Sequence, residues 1–260
     1  MSPAADFISR LLGVLKDPVS PESDHQLAKI LESHGFAFAP RSVANLRLLA
    51  EIFPVDTLVA ITIQSQSTSL PDMALNGLER IASIVPHDEL RQVCSAKSRM
   101  GQLLNICGAS PFLTNILCRD PSYFHDLFVE KRIDRLRQPG ESLAALRRDA
   151  GDSLDYSSLL PLLRRFKYAE VLRIAARDLS GLAPLEEVTL ELTQLAEAAL
   201  HVAHDVARKS LVAEHGEPFI ETPQGREPAE LTVLGMGKFG GEELNFSSDI
   251  DIICLYSSDN

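Results

Sequence analysis

Asp249 and Asp251 flank one apolar residue in the run Asp249-Ile250-Asp251, and the glycine-rich stretch GMGKFGG lies shortly upstream at 235–241. In a strand, side chains at i and i+2 share a face, so the two carboxylates are expected to project together while Ile250 and Ile252 point the other way, into a core. Two carboxylates that close repel unless a positive charge sits between them, and Mg2+, a hard cation that takes oxygen ligands, suits the gap. Two such metals about 3.5–4 Å apart clamp the entering and leaving oxygens of an in-line phosphoryl displacement. Gly240 and Gly241 carry no side chains, so their N–H groups are expected to approach phosphate oxygens at the start of a helix. Lys238 offers a point charge for a phosphate, and the Ser247 and Ser248 hydroxyls offer hydrogen bonds. A bare Asp-Ile-Asp is more often only a polar strand start; a Gly-Gly turn at this distance, after a strand, favours phosphate chemistry.

Two other readings of the glycines fail on spacing. Gly235, Gly237 and Gly240 satisfy G-x-G-x-x-G, but only the residues from Gly241 to Ser248 separate them from the next strand. A dinucleotide-binding crossover needs at least about ten to twelve residues there. A phosphate-binding loop of the G-x-x-x-x-G-K-[ST] kind needs glycine at 232 and Ser or Thr at 239, where the chain has Thr232 and Phe239.

The elements that must position this motif are mostly helical. Up to about residue 215 apolar residues recur at three- and four-residue spacing. Ser20-Pro21, Ser110-Pro111 and Asp120-Pro121 each read as a capping side chain before a proline at the first helical position. Prolines 21, 40, 54, 71 and 86 divide the first ninety residues into short helices, and two longer ones are expected at about 157–179 and 184–213, broken at Gly181 and restarted at Pro184. No internal repeat is evident. Past Gly216, EPFIETPQGREPAE reads as a connector or loose hairpin, LTVLG (231–235) as a buried strand and DIDIICLY (249–256) as a second strand. Two strands do not make an independent sheet, so the chain is expected to be a fragment of something longer.

Composition narrows the function. Lys and Arg number 25 against 36 Asp and Glu, a net charge of −11, which argues against non-specific binding of a nucleic-acid backbone. No N-terminal leader and no apolar run of about 20 residues is present, so a cytoplasmic protein away from membranes is expected. Cys94, Cys107, Cys118 and Cys254 match no metal or disulfide pattern and are expected to be small buried hydrophobes. His201 and His204, with Asp205, have helical spacing for a metal but no third histidine, so a solvated or half-buried face is expected. Arg164, Arg165, Lys167, Arg173 and Arg177 form either a phosphate- or partner-facing stripe or, as expected here, an ordinary solvated face with intrahelical ion pairs.

GMGKFGGEELNFSSDIDII (235–253) resembles the signature of the bifunctional glutamine synthetase adenylyltransferase/adenylyl-removing enzymes. LPDMALNGLERI (70–81), GASPFLTNILCRDPSYF (108–124) and the run from Phe166 to Leu200 are similar to that family's helical N-terminal region. The Asn-Phe-Ser-Ser preceding Asp-Ile-Asp resembles the N-terminal, adenylyl-removing copy of its two nucleotidyltransferase domains. The resemblance implies a mainly α chain in which a multi-helical region leads into the first strands of a nucleotidyltransferase-type α/β (palm-like) domain, truncated at the C-terminus. Its expected divisions are a helical segment 1–95, a helical region 96–215 with the long helices, and the start of the nucleotidyltransferase domain at 216–260.

The implied activity is Mg2+-dependent phosphorolysis. Phosphate attacks the adenylyl group on a tyrosine of glutamine synthetase, releasing ADP, while a second domain adenylylates with ATP. The implied partners are glutamine synthetase, the PII signalling protein and glutamine. By position, Asp249 and Asp251 match the family's metal-binding pair, and Gly240 and Gly241 its phosphate-contacting turn. The superfamily uses a third carboxylate on a later strand; the chain offers only Asp259, in a tail without strand character, so the piece alone is expected to be inactive. The alternatives are a helical docking scaffold with a degenerate nucleotidyltransferase domain, and a nucleotidyltransferase acting on RNA or a small molecule.

Overall fold

The structure, a computed structural model, describes residues 3–151 and 155–257. Asp259 lies outside the described residues. The chain is mainly helical, with short antiparallel strands toward its C-terminal end, and divides into two compact units, residues 1–134 and 135–260.

The first unit is wholly helical among the described residues: α1 Pro3–Lys16, α2 Pro21–Glu32, α3 Ala39–Leu49, α4 Val55–Gln66, α5 Pro71–Ala82, α6 His87–Ser95, α7 Lys97–Ala109, α8 Pro111–Leu117 and α9 Pro121–Phe124. A π-helical turn, His125–Val129, and a 3-10 turn, Arg132–Asp134, follow. The prolines place the starts as expected. Pro21 and Pro71 open α2 and α5, while Pro54 and Pro86 occupy the cap positions of α4 and α6. All three anticipated side-chain caps are present: Ser20 accepts from the Ser23 N–H, Ser110 from Leu113 and Asp120 from Ser122. Helix α5 packs against α3, α4, α7 and α8, and its Leu75, Leu78 and Ile81 are fully buried. Each such side chain contributes about 1.5–3 kcal/mol. The α5–α7 approach is close because Gly77 lacks a side chain; a Cβ there would lie 2.7 Å from the Cys107 Cβ.

The second unit contains α10 Glu141–Ala150, α11 Tyr156–Leu179, α12 Leu185–His215, β1 Phe219–Thr222, β2 Gly225–Pro228, β3 Leu231–Met236, α13 Gly237–Gly240 and β4 Asp251–Tyr256. Helices α11 and α12 are the two long helices expected from the periodicity, turning at Gly181 (φ +65°) and capped by Pro184. Helix α10 packs on both. The connector after Gly216 is a β1–β2 hairpin, and β3 pairs antiparallel with β4 from Leu231↔Tyr256 to Met236↔Asp251.

Four expectations need correcting. First, the arginine stripe on α11 is not one solvated face. Arg164, Arg165 and Lys167 are exposed, but Arg173 and Arg177 are buried and bridge to α12, Arg173 to Glu191 at 2.6 Å and Arg177 to Glu187 at 2.6 Å. Glu170 lies between Arg137 (2.7 Å) and Arg173 (3.0 Å). Burial alone would raise the Glu170 carboxyl, but the hydrogen bond from Arg137 and the charges of Arg173 and Arg137 hold it below its ordinary value. Burial likewise works against the Arg173 charge, and Glu170 and Glu191 more than offset it. The reason the stripe splits is geometric: positions 170, 173 and 177 fall on the side of α11 that faces α12.

Second, the cysteines differ. Cys94 and Cys107 are buried, and burial pushes each thiol up to about 12, but Cys118 is half-buried and Cys254 exposed. Third, the strand over 231–235 is not buried, because a two-stranded ribbon leaves most of its surface open; only Val233 and Gly235 are half-covered. Fourth, Ile250 and Ile252 do not enter a core and are 41% and 40% exposed. Ile252 pairs with Gly235, which offers no side chain to cover it.

Candidate functional site

The motif occupies the path from β3 through α13 and a loop to β4. Strand β3 ends at Met236 because Gly237 takes φ +54°, a left-handed conformation that glycine adopts without steric cost, and turns the chain into α13. The turn is packed by glycines of a different kind. A Cβ on Gly240 would lie 2.4 Å from the Gly235 carbonyl oxygen, and one on Gly235 would lie 2.7 Å from the Phe239 ring. These two positions allow α13 to fold back on the strand it leaves.

The expected placement of the Gly-Gly pair changes as a result. Gly240 is the last residue of α13 and Gly241 its C-terminal cap, so neither opens a helix. The Gly241 N–H donates to the Gly237 carbonyl at 3.0 Å, and its φ of −87° needs no glycine. Lys238 is exposed on the single turn of α13.

The loop that follows is braced from within and from beneath. The Ser247 N–H and the Ser248 hydroxyl both donate to the Asn245 side-chain oxygen, at 3.0 and 2.9 Å, and the Asn245 N–H donates back to the Ser248 hydroxyl at 3.1 Å. Phe239 and Leu244 are buried, and the Leu244 N–H donates to the Thr193 hydroxyl of α12 at 3.4 Å.

Asp249 and Asp251 are both exposed at the entrance of β4, two residues apart. Only Asp251 is in the ladder, paired with Met236; Asp249 precedes the strand because the chain opposite it has already turned into α13. Among the described residues no three His, Cys, Asp or Glu side chains gather as a metal site, which disposes of His201, His204 and Asp205 as a metal cluster. Asp205 instead accepts from Arg147 at 2.9 Å, while His201 and His204 line an open cleft of about 480 Å³ between α12 and β3. The pair Asp249–Asp251 nevertheless fits Mg2+ in kind, since that ion is commonly held by one or two carboxylates together with substrate phosphates and waters.

Sequence reasoning missed three parts of this site: the Thr193 hydroxyl, the buried anchors Phe239 and Leu244, and the Glu170–Arg173–Glu191 cluster that fixes α12 behind them. Polar residues at helix positions otherwise reserved for apolar ones were the available signal.

Residues 100–260 match a protein-family model described as glutamate-ammonia ligase adenylyltransferase. The chain is 39% identical over 156 residues to a bifunctional glutamine synthetase adenylyltransferase/adenylyl-removing enzyme of Thioalkalivibrio sulfidiphilus, covering 60% of this chain and 16% of that protein. Its counterpart in Nitrosococcus oceani is 37% identical over 70% of this chain and 18% of its own length. That of Mannheimia succiniciproducens is 30% identical over 91% of this chain and 24% of its own. The chain thus spans a quarter or less of these relatives. With a match that spans residues 100–260, the glycine turn and both aspartates among them, the chain belongs to the glutamate-ammonia ligase adenylyltransferase family.

Proposed function

We propose that residues 231–256 form the entry to a nucleotidyltransferase active site, in a protein that removes AMP from an adenylylated tyrosine of glutamine synthetase and, through a second domain, adenylylates it with ATP. One observation carries the reading: Asp249 and Asp251 stand exposed at the head of β4, directly after a glycine-packed turn, in a chain of this family. In phosphorolysis an oxygen of inorganic phosphate bonds to the AMP phosphorus as the bond to the tyrosine oxygen breaks. ADP and the protein tyrosine, which takes up a proton, are the products. Asp249 and Asp251 would hold Mg2+, which would supply positive charge against the phosphate oxygens. Gly240 and Gly241 form the turn beside the pair, Lys238 and the Ser247 hydroxyl would contact phosphate oxygens, and Ser248 would do so once its hydroxyl leaves Asn245. Regulation by a PII protein and by glutamine, and a cytoplasmic location, belong to the same reading. Among the described residues no helix is long and apolar enough to cross a membrane.

A second reading is a helical docking scaffold with a degenerate nucleotidyltransferase domain. The experiment that decides uses a protein of the relatives' length, adenylylated glutamine synthetase, phosphate and Mg2+, and measures ADP. Asp249→Asn or Asp251→Asn should abolish ADP release and leave ATP-driven adenylylation intact, since each removes a charged ligand and little volume. ADP release by both variants at the wild-type rate excludes the pair; no release by the wild type supports the scaffold.

A further inference from the structure

Thr193 lies on the buried stripe of α12 between Leu192 and Leu195 and is 1% exposed. A hydroxyl there is costly unless hydrogen-bonded. It donates to the Thr189 carbonyl one turn back, at 2.9 Å, and that local bond alone would satisfy it as a donor. It also accepts the Leu244 N–H, 51 residues away in sequence, at 3.4 Å. Leu244 is 4% exposed, so without Thr193 its N–H would be a buried donor lacking this partner.

The bond matters because of what it anchors. Asp249 is outside the β3–β4 ladder, so the sheet does not fix it. Between Leu244 and Asp249 the chain is the Asn245–Ser248 turn, whose internal hydrogen bonds make it a short stiff lever. Wherever Leu244 is seated, that lever delivers Asp249.

We infer that Thr193 is a positioning residue, whose buried hydroxyl seats Leu244 and through it sets where Asp249 stands relative to Asp251. The inference rests on the proposed function for the purpose of the carboxylates, but its structural half stands separately.

The test uses residues 1–260 with Thr193→Val, which keeps the shape and deletes the hydroxyl, and Thr193→Ser, which keeps the hydroxyl and deletes the methyl. Amide exchange at Leu244 and Mn2+ affinity, read from paramagnetic broadening at 249–251, are measured with the melting temperature. In Thr193→Val, Leu244 exchange should rise and Mn2+ affinity fall about tenfold, the loss expected when an outer support of a metal ligand is removed. Thr193→Ser should restore both, which a purely packing role would not do. Wild-type exchange at Leu244 in the valine variant, or failure of serine to restore it, overturns the inference. If the valine variant does not fold, Thr193→Ser still decides: wild-type protection at Leu244 upholds the hydroxyl's role, and its loss overturns it. If the wild-type chain binds no Mn2+, the metal reading of the pair fails in this chain, and the exchange results alone uphold or overturn the seating of the loop.

Discussion

Buried polar groups differ in kind between the two units. Among the described residues, those buried in residues 1–134 are neutral: Ser23, Ser42, Asn45, Thr62, Ser65 and Thr114. In residues 135–260 they include Glu170, Arg173, Arg177 and Glu191. Some of the neutral groups turn to local partners, as Thr62 does to the Leu58 carbonyl at 2.8 Å and Thr114 to that of Ser110 at 3.0 Å, while Ser42 and Ser23 also take part in polar contacts between helices, with Asp72 at 2.7 Å and Arg47 at 3.0 Å. The charged ones have partners on other elements. Arg173 reaches Glu191 only when α11 and α12 meet in one register, and that register also sets where Thr193 and the loop above it stand. Both units pair charges between elements, as Arg47 and Asp24 do in the first, but among the described residues only the second buries them fully, and the second carries the candidate site.

The strongest way to break that contrast is to remove one charge. Glu170→Ala leaves the half-buried Arg137 without its carboxylate and the buried Arg173 with Glu191 alone, and should lower the stability of residues 135–260 by about 3–5 kcal/mol. Leu78→Ala in α5 should lower that of residues 1–134 by a comparable about 2–5 kcal/mol, through a cavity instead of a stranded charge. Urea unfolding with amide exchange resolved by unit separates the two. A cost under about 1 kcal/mol for Glu170→Ala would mean that the ion cluster does not hold the long helices together.

A smaller effect distinguishes the adjacent glycines of the candidate site. Gly240→Ala puts a methyl group 2.4 Å from a backbone oxygen, so α13 must move off β3, at a cost of about 1–3 kcal/mol. Gly241→Ala meets its nearest atoms at 3.4 Å with an ordinary φ and should cost much less. Melting temperature and the amide shifts of 231–244 report both. Equal responses would contradict the packing of the turn described here.

The same contrast explains what was legible in the sequence. Proline starts, side-chain caps and three-to-four-residue periodicity are local signals, and they located the helices of both units and the turn at Gly181. The β3 and β4 segments were also visible, because β-branched runs ending at glycine are local too. What escaped notice depends on partners distant in sequence. Nothing near Glu170 shows that Arg137 will face it, and nothing near Thr193 points to Leu244. The apolar run LTVLG and the alternation at Ile250 and Ile252 suggested burial, but burial depends on what packs against a strand, which a run of residue types does not contain. The motif itself was legible as residues, whereas its geometry was not: the helix closes at Gly240 instead of opening there, and the ladder starts at Asp251.

The smallest effect concerns pH, where the units should respond with opposite sign. In the first unit the hydrogen bond that His125 donates to the Glu89 carboxylate raises the His125 pKa above its ordinary 6.5, against a lesser opposing desolvation and with help from Glu130 and Asp126. A raised histidine stabilises the fold fully below its unfolded pKa and loses that contribution as pH rises through the folded value. In the second unit the lowered Glu170 carboxyl does the reverse: its contribution is present above the ordinary carboxylate pKa and is lost as pH falls through the lower folded value. Taking the protein from about pH 8 to about pH 6 should therefore strengthen residues 1–134 slightly and leave the Glu170 contribution unchanged. Further acidification below the ordinary glutamate range should weaken residues 135–260. The histidine limb is the weaker because its side chain is 42% exposed, so added salt should flatten it while barely changing the buried glutamate limb. His125→Gln should remove the first limb and Glu170→Gln the second, each read as unit-resolved amide exchange against pH. A first unit whose stability is flat in pH with His125 intact would show that the Glu89 hydrogen bond contributes nothing in solution.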